Sequence, residues 1–318
     1  PILDFGLFKN KVFRFANVAL FFLGAAFFSI IIFLPLYMVN VVGVSATRAG
    51  VALIPLSMGL VTGSVVSGQL VSRFGYYRRW MLGGLALLSV GVVLLYLMTP
   101  DISYWTVVAY MLVCGLGIGP SLPLYTLAIQ NAVDGRQIGQ ATSASQFFRQ
   151  IGGALGAALM GTLLASSLAQ SFSEDMPPAL ASTFQQSPGS RLGSGGGSQA
   201  DARIEQAYDG LYGRIAASGT PLPDAVVNSP LLNPTIRQQL QGGVTAAQLP
   251  TLKEQLQQQA QQTIAQVRTA LKQAFNTAIT RIYFFTLFIV AAGFGFTWFI
   301  PEIPLKKSNE APEPAVVS

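Results

Sequence analysis

The sequence contains no histidine and only one cysteine, Cys114, which lies inside an apolar segment. A disulfide within the chain, a His/Cys metal site and a cysteine–histidine nucleophile pair are therefore excluded. Acidic residues are also absent from the interior of the long apolar segments, since Asp101, Asp134 and Glu302 lie only at their ends. We accordingly predict that the chain is not an enzyme and that it holds no metal and no cofactor.

Charged residues of either sign are scarce: they make up 10% of the sequence, whereas apolar residues make up 51%. A soluble domain typically carries about 25% charged residues. Several apolar segments reach about 20 residues, the length with which an α-helix crosses roughly 30 Å of hydrocarbon. We therefore predict an all-α membrane protein, a bundle of six transmembrane helices. The predicted spans are Val12–Val39, Gly50–Val71, Trp80–Met98, Trp105–Ile129, Ala141–Leu168 and Ile282–Ile300.

Basic residues are concentrated on one side of the predicted spans, and the short loops opposite have only Arg48 and the boundary residue Arg281. Lysine and arginine in short loops mark the cytoplasmic side of a membrane protein. We therefore predict a protein of the cell (inner) membrane with both termini of this chain cytoplasmic and Ala169–Thr280 outside. The net charge of +6 is attributed to this topology and not to nucleic acid binding. The basic residues on the predicted cytoplasmic side are Lys9, Lys11, Arg14, Arg73, Arg78, Arg79, Arg136, Lys306 and Lys307.

The long segment between the fifth and sixth spans changes composition along its length. Ser187–Gln199 is rich in glycine and serine and predicts a flexible linker, and the proline-rich Thr220–Pro234 predicts extended or turning chain. From Leu252 apolar residues recur at helical spacing, which predicts an amphipathic helix that continues into the sixth span, since no proline or glycine intervenes. A packed lid or hairpin is the simpler interpretation of the segment, and a docking site for another protein is the alternative. The predicted division is 1–168 for the first five spans, 169–280 for the external loop, 281–300 for the sixth span and 301–318 for a cytoplasmic tail.

The most specific motif follows the second span, where an ordinary basic loop is the alternative interpretation. Gly68 is expected to allow close helix packing, Gly75 a tight turn, and the arginines to anchor the loop at the inner surface. The residues concerned are Gly68, Arg73, Gly75, Arg78 and Arg79. The segment resembles the cytoplasmic loop motif of the major facilitator superfamily. Ser72 stands where that motif usually has aspartate, and Tyr76 where it often has a base, so no charge relay through the acidic position is implied.

Four further segments extend the resemblance: Leu7–Phe13, Phe33–Tyr37, Gly50–Pro55 and Arg149–Gly156. They are similar to one branch of the superfamily, the EmrB/QacA-type drug:proton antiporters with fourteen spans. The resemblance implies that this chain is the C-terminal six-helix half of such a fold. An N-terminal half, which holds the coupling carboxylate in that branch, would then be missing here. We also expect a longer gene product because the chain begins at Pro1, without a methionine or a signal peptide.

The fourth span contains closely spaced glycines and prolines, Gly115, Gly119, Pro120 and Pro123. A phosphate-binding loop is a poor interpretation, because no strand precedes the segment and no Lys-Ser/Thr pair follows it. Part of the segment superficially matches the glycine–proline antiporter motif of the family, but it lies in a different span. We predict instead that the glycines permit close helix contact and that the prolines bend or loosen the helix.

The fifth span carries one charge, Arg149, which shares a helix face with Gln146 and the small packing residue Gly153. Counted from about Gly139, Arg149 lies roughly 15 Å along the helix. An arginine near the middle of a bilayer costs about 2.5–3.5 kcal/mol, so it should face a cavity or a partner. The alternative is that Arg149 sits shallower and extends to the inner surface. From the cavity-lining spans of the superfamily, the resemblance implies a substrate cavity with Tyr37, Tyr125, Gln146 and Arg149.

The resemblance implies a secondary active transporter that exports drugs or other amphipathic compounds, driven by proton movement. Its partners would be the lipid bilayer, the missing N-terminal transmembrane half, a small-molecule substrate and protons. Two alternatives stay open: a metabolite carrier of the same superfamily, and a membrane receptor or scaffold that acts through Ala169–Thr280. Dye efflux or radiolabel uptake distinguishes the two transporters, and partner binding by the isolated loop would favour the receptor.

Overall fold

The computed structural model describes residues 5–175, 196–217, 223–229, 231–242 and 248–303. Two compact units are present, Pro1–Leu164 with Ala278–Ser318, and Ala165–Thr277. The described residues form helices and their connections, and six helical segments are long and apolar enough to cross a membrane. The predictions of an all-α fold and of six apolar spans are therefore confirmed.

The first span begins at α1 (Lys11–Tyr37), which Asn10 caps by accepting a hydrogen bond from the backbone N–H of Val12 at 2.9 Å. Pro35 lies inside this helix and has no backbone N–H to donate. A π-helical turn, Met38–Val42, follows and ends at Gly43, whose φ of 81° is left-handed. The span therefore extends from Lys11 to Val42, a little beyond the predicted range.

The second and third spans are joined by a short turn. The short helix α2 (Ala46–Val51) and the helix α3 (Leu53–Phe74) make up the second span, and α4 (Tyr77–Tyr96) is the third. Gly75 ends α3 with a φ of 77°, a conformation that strains any residue with a side chain. The tight turn predicted at Gly75 is present, and it reverses the chain within two residues.

The fourth span is interrupted and consists of α5 (Tyr104–Ile118) and α6 (Ser121–Ala132). Gly119 and Pro120 lie at the break, whereas Pro123 lies within the first turn of α6, where a proline is tolerated. The Ser64 hydroxyl donates to the carbonyl oxygen of Gly119 at 2.7 Å and so satisfies an acceptor at the break. The fourth span is thus interrupted at Pro120, the first of its two prolines.

Glycines bring α5 into backbone contact with α3. A Cβ added at Gly115 would lie 2.2 Å from the carbonyl oxygen of Leu56, and one at Gly119 would lie 2.5 Å from that of Leu60. Gly117 makes a comparable approach to α4, where an added Cβ would lie 2.4 Å from the backbone nitrogen of Leu88. Small residues that let backbones approach are the usual basis of helix association in membranes.

The fifth span lies in α7 (Ile138–Asp175), which continues beyond the predicted end at Leu168. No glycine or proline occurs between Gly161 and Asp175, so nothing in the local sequence stops the helix there. The hydrophobic length of a span and the length of its helix are thus different quantities in this chain.

The second unit contains α8 (Gly196–Ala217), α9 (Asp224–Val227) and α10 (Pro234–Gln241). Gly196–Gln199 form the start of α8, so the flexible linker predicted over Ser187–Gln199 is wrong for these four residues, and 187–195 lie outside the described residues. Their helicity follows from continuity with an apolar face that packs inward, which overrides a low local propensity. Within the predicted extended stretch, Asp224–Val227 is a helical turn, while 220–222 and 230 are not described.

The longest helix, α11 (Leu249–Trp298), contains both the predicted amphipathic segment and the sixth span. The predicted continuity is confirmed, and Arg281 is not a helix end. The predicted apolar face is buried along its length, at Leu256, Ala260, Ile264, Val267, Leu271, Ala274, Phe275, Ala278 and Ile279. In the second unit further apolar residues are buried as well, Ile204, Leu211 and Ile215 of α8 and Ile236 and Leu240 of α10. The predicted cytoplasmic tail is described only to Ile303.

Candidate functional site

Gln146 and Arg149 lie together on α7 beside a small cleft. The guanidinium of Arg149 donates a hydrogen bond to Oε1 of Gln146, which orients both side chains. The cleft has a volume of about 90 Å³, and Gln146 is exposed while Arg149 is half-buried. The other lining residues are Leu20, Leu122, Thr126 and Ser145.

The position of this cleft follows from close contact between α7 and α1. A Cβ at Gly24 would lie 2.1 Å from the carbonyl oxygen of Arg149, and one at Gly152 would lie 2.0 Å from that of Phe21. At the next residue, a Cβ at Gly153 would lie 2.5 Å from the ring of Phe28. The packing role predicted for Gly153 is therefore present. Gly152 was missed, although the Gly152-Gly153 pair in the sequence was a signal for it.

Among the described residues, no carboxylate forms an ion pair with Arg149. A guanidinium offers several N–H donors and no acceptor, and here one donor is used by Gln146. The remaining donors are suited to a carboxylate, a carbonyl or water that approaches from the cleft. The arrangement can therefore bind and orient a polar group.

The structure places Tyr37 and Tyr125 elsewhere, inside the bundle. Both are fully buried; the Tyr37 hydroxyl donates to the carbonyl oxygen of Thr99 at 2.9 Å, and the Tyr125 hydroxyl shares a hydrogen bond with Thr297. Neither side chain lines the cleft beside Arg149. Both rings are enclosed in this chain, and the assignment of Tyr37 and Tyr125 to a substrate cavity stays a prediction.

The residues of the loop motif, from Gly68 in α3 to Arg79 in α4, differ in their contacts. Gly68 is exposed, and an added Cβ would meet no described atom within 4 Å, so the described residues show no close packing at Gly68. The guanidiniums of Arg73 and Arg79 lie over neighbouring rings, those of Phe74 at 6.0 Å and Tyr76 at 4.9 Å. These two arginines therefore make contacts within their own loop.

Arg78 connects the loop to the end of α11. Its guanidinium donates to the carbonyl oxygen of Trp298 and lies 5.5 Å from the centre of that indole. The Tyr77 hydroxyl donates to the carbonyl oxygen of Pro301 and accepts from the N–H of Ile303, both at 2.9 Å. An anchoring role was predicted for Arg78 but not for Tyr77, because the residues next to a tyrosine at a helix start do not indicate its distant partner.

Among the described residues, no group of three or more Cys, Asp and Glu side chains could hold a metal ion. The arrangement near Arg149, a charge at a cleft between apolar helices, therefore rests on hydrogen bonding alone. It is suited to recognition and not to covalent chemistry.

Comparison with known proteins gives matches to transporters. Residues 2–157 match the Major Facilitator Superfamily. The chain is 37% identical over 156 residues to the multidrug transporter protein MdtP of Bacillus subtilis, which covers 49% of this chain and 29% of that protein. It is 35% identical over 189 residues to the aspyridones efflux protein of Neocamarosporium betae, covering 59% and 32%, respectively. A tetracycline resistance determinant of Streptomyces rimosus is 30% identical over 155 residues, covering 49% and 45%.

In each case the chain spans less than half the length of the relative that it matches. The matched region contains α1 to α6 and the part of α7 that carries Gln146 and Arg149. These matches agree with the prediction of a transporter fold. By the match over residues 2–157, about half of its length, and by its six apolar helices, this chain is similar to the Major Facilitator Superfamily.

Proposed function

We propose that this chain is the C-terminal half of a secondary active transporter that exports drugs or other amphipathic compounds in exchange for protons. The observation that carries the proposal is the match of residues 2–157 to the superfamily, together with relatives named for multidrug transport and efflux. The chain spans about a third of the first two relatives, which supports an additional N-terminal half as the partner of this bundle.

In this proposal the face of α7 that carries Gln146 and Arg149 lines the substrate cavity. Burying an arginine at this depth costs about 2.5–3.5 kcal/mol unless polar groups or water surround it. The cleft and the Gln146 hydrogen bond supply part of that environment. The second wall would come from the N-terminal half, and substrate would be exposed alternately as the two bundles move against each other.

The break between α5 and α6 supports the same interpretation. An interrupted helix bends at lower energetic cost than a continuous one, and broken helices are common in transporters that alternate their access. Here the break is at Gly119 and Pro120, and Ser64 already satisfies a backbone acceptor there. A change in the angle between α5 and α6 would therefore not leave the carbonyl of Gly119 without a donor.

We further propose that the chain lies in the cell membrane with both of its termini in the cytoplasm and 169–280 outside, on the basis of its lysine and arginine distribution. Single cysteines at Ser187 and Ser308, in a Cys114→Ala background, test this orientation in intact cells. An impermeant maleimide should label position 187 and not position 308. Labelling of position 308 alone would reverse the proposed topology.

The cavity assignment is tested with Arg149→Ala in the whole transporter. Efflux of a substrate dye should fall at least about tenfold, the effect of losing roughly 1.4 kcal/mol of interaction. Membrane abundance should stay nearly unchanged, because removal of a costly charge from a span does not oppose insertion. Arg149→Lys should restore little efflux if a forked contact is used and much if charge alone matters.

Arg136→Ala is the matched control, since Arg136 is exposed in the turn before α7 and not in the cleft. It should leave efflux within about twofold of the unmodified protein. Normal efflux by Arg149→Ala at equal abundance would show that Arg149 only extends to the membrane surface. The cavity assignment would then be abandoned.

A further inference from the structure

A second cleft lies in the unit formed by Ala165–Thr277, away from the cleft beside Arg149. This groove has a volume of about 360 Å³ and runs between α8 and the first part of α11. Four of its residues, Glu205, Tyr208, Asp209 and Tyr212, are spaced i, i+3, i+4 and i+7 along α8. That spacing places two carboxylates and two phenol rings on one helix face. The groove therefore combines negative charge with aromatic surface.

The floor of the groove is rigid and apolar. Leu256 and Tyr208 are buried, with 2% and 4% of their surfaces exposed. The Tyr208 hydroxyl donates to the carbonyl oxygen of Leu231 at 2.9 Å and lies 3.1 Å from Oγ1 of Thr263, so its ring is held in place. Burial raises the pKa of this phenol above its ordinary value of 10, although the contact with Thr263 acts in the opposite direction. The ring therefore stays neutral at physiological pH.

The carboxylates at the rim are not used to hold the unit together. Glu205 and Asp209 are exposed, and neither forms an ion pair with any described residue. Asp201, one turn earlier on the same helix, does form such a pair with Arg268. The two rim carboxylates thus retain their charge for a ligand.

One cation of the chain already lies at this surface. The ammonium of Lys253 is 5.7 Å from the centre of the Tyr212 ring, within the range of a cation–π contact. Lys253 is exposed and flexible, so an added cation with a larger apolar body would compete with it at Tyr212. The face of the Tyr212 ring is therefore open to a cationic group.

We propose that this groove is a binding site for organic cations with an aromatic or other apolar body. The carboxylates of Glu205 and Asp209 would attract the charge, and the ring of Tyr212, backed by the buried Tyr208, would contact the apolar part. A volume of about 360 Å³ falls within the range of small-molecule sites. The site stands independently of the proposed export function, because no residue of the membrane cleft takes part.

The test is calorimetric titration of the purified chain in dodecyl maltoside, an uncharged detergent, with phenyltrimethylammonium. Benzyl alcohol, an uncharged aromatic of similar size, should give no comparable binding. The double change Glu205→Gln with Asp209→Asn should raise the Kd about tenfold, and Tyr212→Leu should raise it about fivefold. Glu254→Gln removes an acid that does not line the groove and should change the Kd less than about twofold.

Lys253→Ala distinguishes binding from loss of structure, because it should lower the Kd about threefold by removing the competing cation. A variant that merely unfolds the groove cannot gain affinity. The proposal is overturned by absence of binding, by equal binding of benzyl alcohol, by weaker binding to Lys253→Ala, or by an equal loss with Glu254→Gln.

Discussion

The two compact units of this chain are both helical, yet different contacts hold their helices together. In the first unit, α3, α4 and α5 approach so closely that glycines face backbone atoms of the next helix, as at Gly115 and Gly117. In the second unit, α8 and α11 meet through large apolar side chains, among them Tyr208 and Leu256. Charged side chains lie beside these apolar residues, as in the ion pair of Asp201 on α8 with Arg268 on α11.

The difference reflects the solvent for which each surface is suited. Where lipid surrounds a helix, burial of apolar side chains gives little driving force, so close backbone packing has to hold helices together. Where water surrounds it, one apolar stripe buried against a neighbour is sufficient, and the other faces carry charge. Six apolar spans in the first case and an amphipathic pattern in the second are consistent with this distinction.

The largest expected effect comes from a single methyl group at the glycine contact. Gly115→Ala should lower the free energy of unfolding by about 1–3 kcal/mol, since its Cβ would lie 2.2 Å from a backbone carbonyl that cannot easily move. Gly83→Ala, in α4 with nothing within 4 Å of the added Cβ, should be neutral or stabilising by up to about 1 kcal/mol. Unfolding in mixed micelles, followed by tryptophan fluorescence, measures both. Equal effects would show that backbone contact does not set the stability of this unit.

An intermediate effect is expected at the end of α11, where polar contacts supplement the packing of the first unit. Tyr77→Phe removes the hydrogen bonds to Pro301 and Ile303 and should cost about 0.5–1.5 kcal/mol locally. Hydrogen–deuterium exchange of the Ile303 amide should accelerate accordingly. Tyr76→Phe, at an exposed neighbouring position, is the control and should leave that amide unchanged. Unchanged exchange in Tyr77→Phe would mean that this contact does not hold the end of the helix.

The smallest effect should be that of the ion pair in the second unit. Asp201→Asn should cost about 0.2–1 kcal/mol, because the Arg268 side chain is 64% exposed and water screens the interaction. The loss should shrink in 1 M salt. Glu205→Gln, on the same helix without an ion pair, should have no such salt-dependent cost. A loss of more than about 2 kcal/mol in the free energy of unfolding of Asp201→Asn would show that charge, and not apolar packing between α8 and α11, stabilises this unit.

Several features of the fold were predictable because their causes are local. The apolar length of each span, the turn at Gly75 and the continuity of α11 all depend on residues within one or two turns of each other. The start of α8 at Gly196 was not predictable in this way, since its glycines locally favour a loop. The same helix carries a buried apolar face further along, which includes Ile204.

In the candidate site, too, local contacts were predictable from the sequence and distant ones were not. Gln146 and Arg149 are one helical turn apart, so their contact follows from the period of the helix. The burial of Tyr37 and Tyr125 depends on partners such as Thr99 and Thr297, which are far away in the sequence. Aromatic residues with a hydroxyl suit a cavity wall and a helix interface equally well, so residue type alone did not distinguish the two.

By itself, therefore, the sequence determined that this protein has six helices apolar enough to cross a membrane, that the fourth of these spans is interrupted near Pro120, and which face of α7 is polar. Tertiary structure alone decided which glycines touch a neighbouring backbone, so that Gly115 is confined and Gly68 is open. It also decided that Tyr77 holds the end of α11 and that a groove opens between α8 and α11. The physical reason is range: hydrophobic length and helical period act between near neighbours, whereas close packing depends on which distant helix arrives alongside.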